Sequence, residues 1–269
     1  MEVDEGCYRH PYEEAGVRCI RCERPICPSC MVTAPVGFQC PECVKGAGQQ
    51  VRTMRDLRGT GDALVTKALV AVNALVFLLG VDPRAGLFSS YNRLAREYAL
   101  HAPSVDAGEW YRLVTSGFLH YGPIHVAFNM LLLFQLGSTL ERSYGRARFG
   151  AAYLASLLGG SLGALLLSDD RALTAGASGA VYGLMGAFVV VSRSRGVGLM
   201  QSGIGGLLIL NLLFTFARPG ISIGGHLGGL AIGMVAGLVL TTSDRQPTAG
   251  AAALGSLALA LLGAGIALA

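Results

Sequence analysis

Two residues that together make an activated nucleophile stand in apolar stretches of this chain. Ser178 lies in Gly176-Ala177-Ser178-Gly179-Ala180, and His226 in Gly224-Gly225-His226-Leu227-Gly228-Gly229. A serine hydroxyl attacks poorly until a base takes its proton, and histidine is the usual base. Glycines recur every four residues beside both. Gly179 and Gly183 mark one stretch; Gly225, Gly229, Gly233 and Gly237 mark the other. Small-residue stripes let two helix backbones approach closely. Packed on those faces, Ser178 and His226 come within hydrogen-bond reach. No Asp or Glu sits inside either stretch, so the pair reads as a dyad, not a triad. Taken alone, each residue has a plainer use, because a membrane serine usually bonds back to its own helix.

Three more polar residues fit the same chemistry. His125 and Asn129 are four apart and share a helix face. Two donors on one face suit an oxyanion hole, although a helix–helix hydrogen bond would use them equally well. The backbone N–H of Ser178 would add a third donor. Tyr182 is four residues past Ser178, placed to stack on the His226 ring.

Other intramembrane chemistries lack their residues. A zinc metalloprotease needs HExxH, and no such string occurs. An aspartyl protease needs two carboxylates inside spans, and no Asp or Glu lies in the middle of any. A transporter would show a charged pathway.

All seven cysteines fall between Cys7 and Cys43. They form Cys7-x2-His10, Cys19-x2-Cys22, Cys27-x2-Cys30 and Cys40-x2-Cys43. Eight ligands close two tetrahedral zinc sites, with His10 supplying the eighth. Closed sites are structural, and a module this small needs the metal to fold. The segment resembles cross-brace zinc modules of the B-box and RING type. That resemblance implies one group of Cys7, His10, Cys27 and Cys30 and another of Cys19, Cys22, Cys40 and Cys43. Sequential pairing is the alternative that the spacing leaves open. A protein partner or a regulatory role would suit the module; nothing in the sequence names that partner.

The elements that position these residues follow from composition. The 269 residues are 52% hydrophobic and 14% charged, with a mean hydropathy of +0.51. Soluble chains are nearer a quarter charged. The net charge of +4 suits anionic lipid headgroups, and no basic block points to nucleic acid. Residues 1–45 read as the double zinc module and 46–62 as a polar linker. Seven apolar spans follow, at 63–80, 121–140, 147–167, 176–192, 203–217, 221–241 and 249–269. The segment 81–120, with Tyr91, Tyr98, Trp110, Tyr111 and Phe118, suits the outer headgroup region. Arginines at 52, 55 and 58, at 142, 146 and 148, and at 193 and 195 flank alternate loops and place the N-terminus in the cytoplasm. No signal peptide is read, so the first span would serve as the insertion signal.

The ordered set resembles the rhomboid family of intramembrane serine proteases across residues 63–241. Gly176-x-Ser178-Gly179, Tyr182, His226-x-Gly228-Gly229 and His120-x4-His125-x3-Asn129 carry the resemblance. Glu109-Trp110-Tyr111-Arg112-Leu113 is similar to the family's Trp-Arg motif, with Tyr111 directly before Arg112 and the tryptophan one place earlier. The resemblance implies an all-α polytopic fold: a six-helix core with 242–269 as an added seventh helix. It implies Ser178 as nucleophile, His226 as general base, and His125, Asn129 and the Ser178 N–H as the oxyanion hole. Gly176, Gly179 and Tyr182 would support them. His120, Arg112 and Glu141 would be structural or water-retaining. Catalysis would need no cofactor. Substrates would be single-span membrane proteins cut in or near the span, from a water-filled cavity gated by the fifth helix. The expected location is a bacterial plasma membrane.

Overall fold

The computed structural model describes residues 6–34, 36–46, 62–82, 92–169, 171–198, 200, 204–217 and 220–268. Residues 47–61 of the sequence's linker, with Arg52, Arg55 and Arg58, and Tyr91 lie outside them. Two compact units divide the chain, Met1–Thr53 and Met54–Ala269.

The first unit is built around sulfur. Strand β1 (Val17–Arg18) pairs antiparallel with β2 (Pro25–Ile26), and β3 (Val32–Thr33) with β4 (Phe38–Gln39). A 3-10 turn, Pro28–Cys30, lies between β2 and β3, and a short helix α1 (Pro41–Gly46) closes the unit. Its core is Cys7, Cys19, Ile26, Cys27, Cys30 and Cys40. One isoleucine among five cysteines is far too little apolar mass for a stable fold of this length.

The second unit is helical. Its long helices are α2 (Leu64–Gly80), α8 (Arg146–Leu167), α9 (Ser178–Ser194), α10 (Ile204–Ala217), α11 (Ile223–Thr242) and α12 (Pro247–Leu268). A further one runs from Pro123 to Tyr144 as α6 (Pro123–Leu132), a π turn (Leu133–Gly137) and α7 (Ser138–Tyr144). Four of these are long and apolar enough to cross a bilayer outright: Pro123–Tyr144, α8, α11 and α12. Helices α2 and α9 have 17 residues and α10 has 14. The seven spans read from the sequence are thus seven helices, and this unit is an all-α integral membrane domain with α12 added to a six-helix core.

Short helices fill the connection after α2: α3 (Arg93–Tyr98), α4 (Ala102–Asp106) and α5 (Arg112–Thr115). Arg112 is buried there, giving Nη1–H to the Ala99 carbonyl at 2.7 Å and Nε–H to Glu109. The guanidinium holds the Glu109 carboxyl below the usual carboxylate range.

Glycine sets the packing at the centre. A Cβ on Gly229 would collide with the Gly179 carbonyl oxygen, and one on Gly233 with that of Gly183. One on Gly237 would stand 2.9 Å from the Ala187 Cα. These are the two stripes seen in the sequence, now facing each other across α9 and α11. A second α11 row meets α8: Gly224 faces Gly163, and Gly228 faces Gly159. Gly160 of α8 lies against Gly179 of α9. Three helices therefore meet backbone to backbone. Helix α12 covers another side of α8, with Leu254 and Ala258 buried.

Glu141 starts α2. Its carboxylate accepts from the Val65 N–H at 2.9 Å, the Thr66 N–H at 2.8 Å and the Thr66 hydroxyl at 2.7 Å. The Ala63 side chain makes no cap, so a carboxylate from α7 satisfies donors the helix itself leaves open. That gives Glu141 a structural place.

Gly233→Val has no room to relax, because its neighbour is backbone. It is expected to lower the stability of the detergent-solubilised protein by about 1–3 kcal/mol or more. Gly255, with open space around it, is the control site for Gly255→Val. Circular dichroism melts that coincide for the two variants would refute the close-packed α9–α11 contact.

Candidate active site

Ser178 is the first residue of α9. The first N–H groups of a helix have no partner within it, and they carry its positive end. The Ser178 N–H is thus free of the helix's own ladder and beside its own hydroxyl. Residues 172–177 deliver the chain to this point. Leu100 and Thr174 exchange backbone hydrogen bonds of 2.8 and 2.9 Å, and the Gly176 N–H gives to Ser116 O at 2.9 Å. The Tyr121 hydroxyl gives to Leu173 O at 2.9 Å, and the Ala177 N–H reaches His120 Nε2 at 3.4 Å. His120 is fully buried and packs edge-on to His125, with ring centroids 5.0 Å apart.

Gly176 turns the chain at φ +138°, where only glycine rests without strain. A Cβ there would stand 2.8 Å from His125 Nε2. The first glycine of the Gly-x-Ser-Gly string therefore makes room for His125. The second, Gly179, makes room for α8 and α11.

His226 lies in the first turn of α11, whose N-cap Ser222 accepts from the Gly225 N–H at 3.0 Å. Its Nε2 is 2.8 Å from Ser178 Oγ. The Tyr182 ring stacks on the imidazole, with centroids 4.1 Å apart and planes 14° from parallel. The far nitrogen, Nδ1, is 2.8 Å from Thr215 Oγ1 on α10.

Ser178, His226, His125, Asn129, Gly176, Gly179 and Tyr182 all line one cavity of about 1300 Å³. The structure brings together every residue that the sequence suggested for this site. Asn129 gives one amide proton to the His125 carbonyl at 2.9 Å. Its amide carries a second proton that this bond does not use. Thr215 escaped the sequence reading. Its signal was available: Asn211 and Thr215 are polar, four apart, in an otherwise apolar span, the spacing that puts both on one helix face.

The N-terminal unit holds a second constellation. Cys7, His10, Cys27 and Cys30 present ligand atoms within 4.8 Å of one another, and so do Cys19, Cys22, Cys40 and Cys43. This is the cross-brace grouping; the sequential pairing is not what the fold assembles. His10 Nδ1 is 3.3 Å from Cys27 Sγ and 3.4 Å from Cys30 Sγ. The thiols respond unequally to their crowding. Burial pushes Cys30 up to about 12. Hydrogen bonds that Cys43 gives to Cys22 and Cys40, with burial, push Cys43 up to about 12. Burial also pushes on Cys7 and Cys19, yet backbone N–H groups outweigh it and bring both down to about 6. The first group thus holds one thiol disposed to ionise, Cys7, and the second holds two, Cys19 and Cys40, beside others that resist. A divalent cation among them removes that conflict, so the donor set fits a metal ion.

These features define the class. The rhomboid-domain family model matches residues 107–243, and the chain belongs to the rhomboid family. Among curated relatives, Rhomboid protease GluP of Bacillus subtilis (strain 168) is 35% identical over 198 residues, which are 71% of this chain and 38% of that protein. Rhomboid-like protease 1 of Toxoplasma gondii is 32% identical over 209 residues, 72% of this chain and 71% of that protein. Putative rhomboid protease YdcA of Bacillus subtilis (strain 168) is 37% identical over 134 residues, 49% of this chain and 67% of that protein. The chain spans about two-fifths of the length of GluP.

Gly176→Ala would place an L side chain at a glycine-only φ and against His125. A stability loss of about 1–3 kcal/mol is expected from the backbone alone, read by thermal melting. A melt equal to that of the unaltered protein would mean that the strained turn does not exist in solution.

Proposed function

We propose that this chain is an intramembrane serine endopeptidase. It cleaves single-span membrane proteins in or near their transmembrane segment, through a Ser178–His226 dyad and an acyl-enzyme intermediate. The observation that carries this reading is the 2.8 Å contact between Ser178 Oγ and His226 Nε2, inside a cavity walled by membrane helices.

The steps follow from the atoms present. His226 Nε2 takes the Ser178 proton as Oγ attacks the scissile carbonyl. Negative charge moves to the carbonyl oxygen. The Ser178 N–H, the unused Asn129 amide proton and His125 supply donors for it. Collapse breaks the C–N bond, and His226 returns its proton to the departing amine. Water then attacks the ester, again giving its proton to His226, and Ser178 is restored. Tyr182 holds the imidazole plane, and Gly176 and Gly179 leave the space that brings the parts together. A substrate helix must unwind locally first, because its own hydrogen bonds shield the peptide bond.

In this reading residues 63–241 are the protease core and 242–269 an added helix. Residues 1–45 are the zinc module and 46–62 the linker. Two zinc ions, one per ligand group, would crosslink the module and supply the fold energy its small core lacks. Its partner would be another protein. The arginine distribution supports a cytoplasmic N-terminus, and a bacterial plasma membrane is the proposed setting.

Purified protein in liposomes should cut a fluorescent single-span substrate. Ser178→Ala and His226→Ala should each reduce cleavage by about a thousandfold or more. A rhomboid-like scaffold without protease activity is the rival, and cleavage indifferent to Ser178 would sink the present reading.

Metal analysis of the purified full chain should give two zinc ions. Cys27→Ser and Cys40→Ser should each lose one, because each removes a ligand from a different group. Two ions retained in both variants would exclude the proposed ligand sets.

A further inference from the structure

The dyad has a third, neutral member in this chain. We propose that Thr215 is a positioning residue that fixes the His226 tautomer competent for base catalysis. The inference rests on the dyad reading above and goes beyond it.

The argument is a hydrogen-bond count at one oxygen. A threonine hydroxyl has one proton to give and two lone pairs. Thr215 gives its proton to the Asn211 carbonyl at 2.9 Å, one turn back on α10. A carbonyl can only accept, so with its proton on that bond Thr215 offers its other neighbours lone pairs alone. Two further groups lie against Thr215 Oγ1: the Tyr182 hydroxyl at 2.6 Å and His226 Nδ1 at 2.8 Å. In that arrangement both donate to it. The Tyr182 proton fills one lone pair, and an Nδ1–H of His226 fills the other.

The consequence falls at the opposite side of the ring. A neutral imidazole with its proton on Nδ1 has a bare lone pair on Nε2. That is the nitrogen 2.8 Å from Ser178 Oγ. The other tautomer would aim an N–H at Ser178, and a bare Nδ1 at an oxygen with no proton left to offer. Thr215 is 2% exposed and His226 8%, so water does not readily replace the lost bond. In a triad, a carboxylate performs this orientation. Here a hydroxyl does so, its direction set by the α10 backbone. It supplies geometry without a charge inside the membrane, where a carboxylate would be costly.

The same oxygen also connects three helices. Tyr182 belongs to α9, His226 to α11 and Thr215 to α10. Displacing α10 by a hydroxyl's reach removes the tautomer lock without touching Ser178 or His226.

The test compares Thr215→Val, which keeps the shape and loses the hydroxyl, with Thr215→Ser, which keeps the hydroxyl. Ring-15N-labelled histidine, with the His226 signal assigned by His226→Ala, reports the tautomer. Cleavage kinetics in liposomes report the function. Thr215→Val should move His226 toward the Nε2–H form and lower kcat about 10- to 100-fold with little change in KM. Thr215→Ser should restore both. A Thr215→Val protein with unaltered tautomer and kcat would overturn the proposal. So would a loss in Thr215→Ser as large as in Thr215→Val, with melting temperatures lowered in both, because that pattern is a packing defect. A wild-type protein that cleaves nothing would instead remove the protease reading, and the nitrogen spectra would still decide the tautomer.

Discussion

Everything at the active centre depends on how near two helix backbones can come. Helices α9 and α11 meet where Gly229 and Gly233 face the carbonyls of Gly179 and Gly183, with no side chain between them. A short side chain such as serine reaches little past its own Cα. The imidazole of His226 must therefore be brought to Ser178 by its backbone. Inside a bilayer no hydrophobic force drives one helix onto another. Close van der Waals contact has to do so, and glycine is the residue that permits it. Helix α8 makes the same kind of contact with both partners, through Gly160 toward α9 and Gly159 and Gly163 toward α11.

Much of this was legible in the residues themselves. Hydropathy gave the seven spans within a few residues, because a helix in lipid is marked by a run of apolar side chains. The four-residue glycine spacing gave the α9–α11 contact. The Cys-x2-Cys and Cys-x2-His units gave the eight clustered ligands, although only the fold separated cross-brace from sequential grouping. What the sequence concealed is contact between distant elements. Nothing near Glu141 reveals that it starts α2, 75 residues away. Thr215 is one polar residue in a membrane helix, a place where threonine commonly bonds back to its own turn. It does so here, to Asn211, and that ordinary bond is what makes its remaining lone pairs decisive.

The two units solve the problem of stability differently. The membrane unit satisfies its backbone within helices and fills its centre with small residues. The cysteine unit has two short hairpins and almost no apolar core, and its order must come from the atoms its sulfurs share. All seven cysteines lie in that unit, so the helical unit has no thiol chemistry of its own.

The lengths of α8 and α9 carry a last consequence. Tyr144 lies beside both Arg148, near the start of α8, and Arg195, just past the end of α9. The two helices are therefore level at that end. At the other end they are not. Gly179 lies against Gly160, and α8 continues seven more residues to Leu167, about 10 Å at helical rise. Ser178 is thus sunk roughly that far below the rim of its neighbour. On the protease reading, a peptide bond held at that rim stands about 10 Å from the nucleophile. On that reading the step between the two helices acts as a ruler, measuring the depth at which a bond is presented to Ser178.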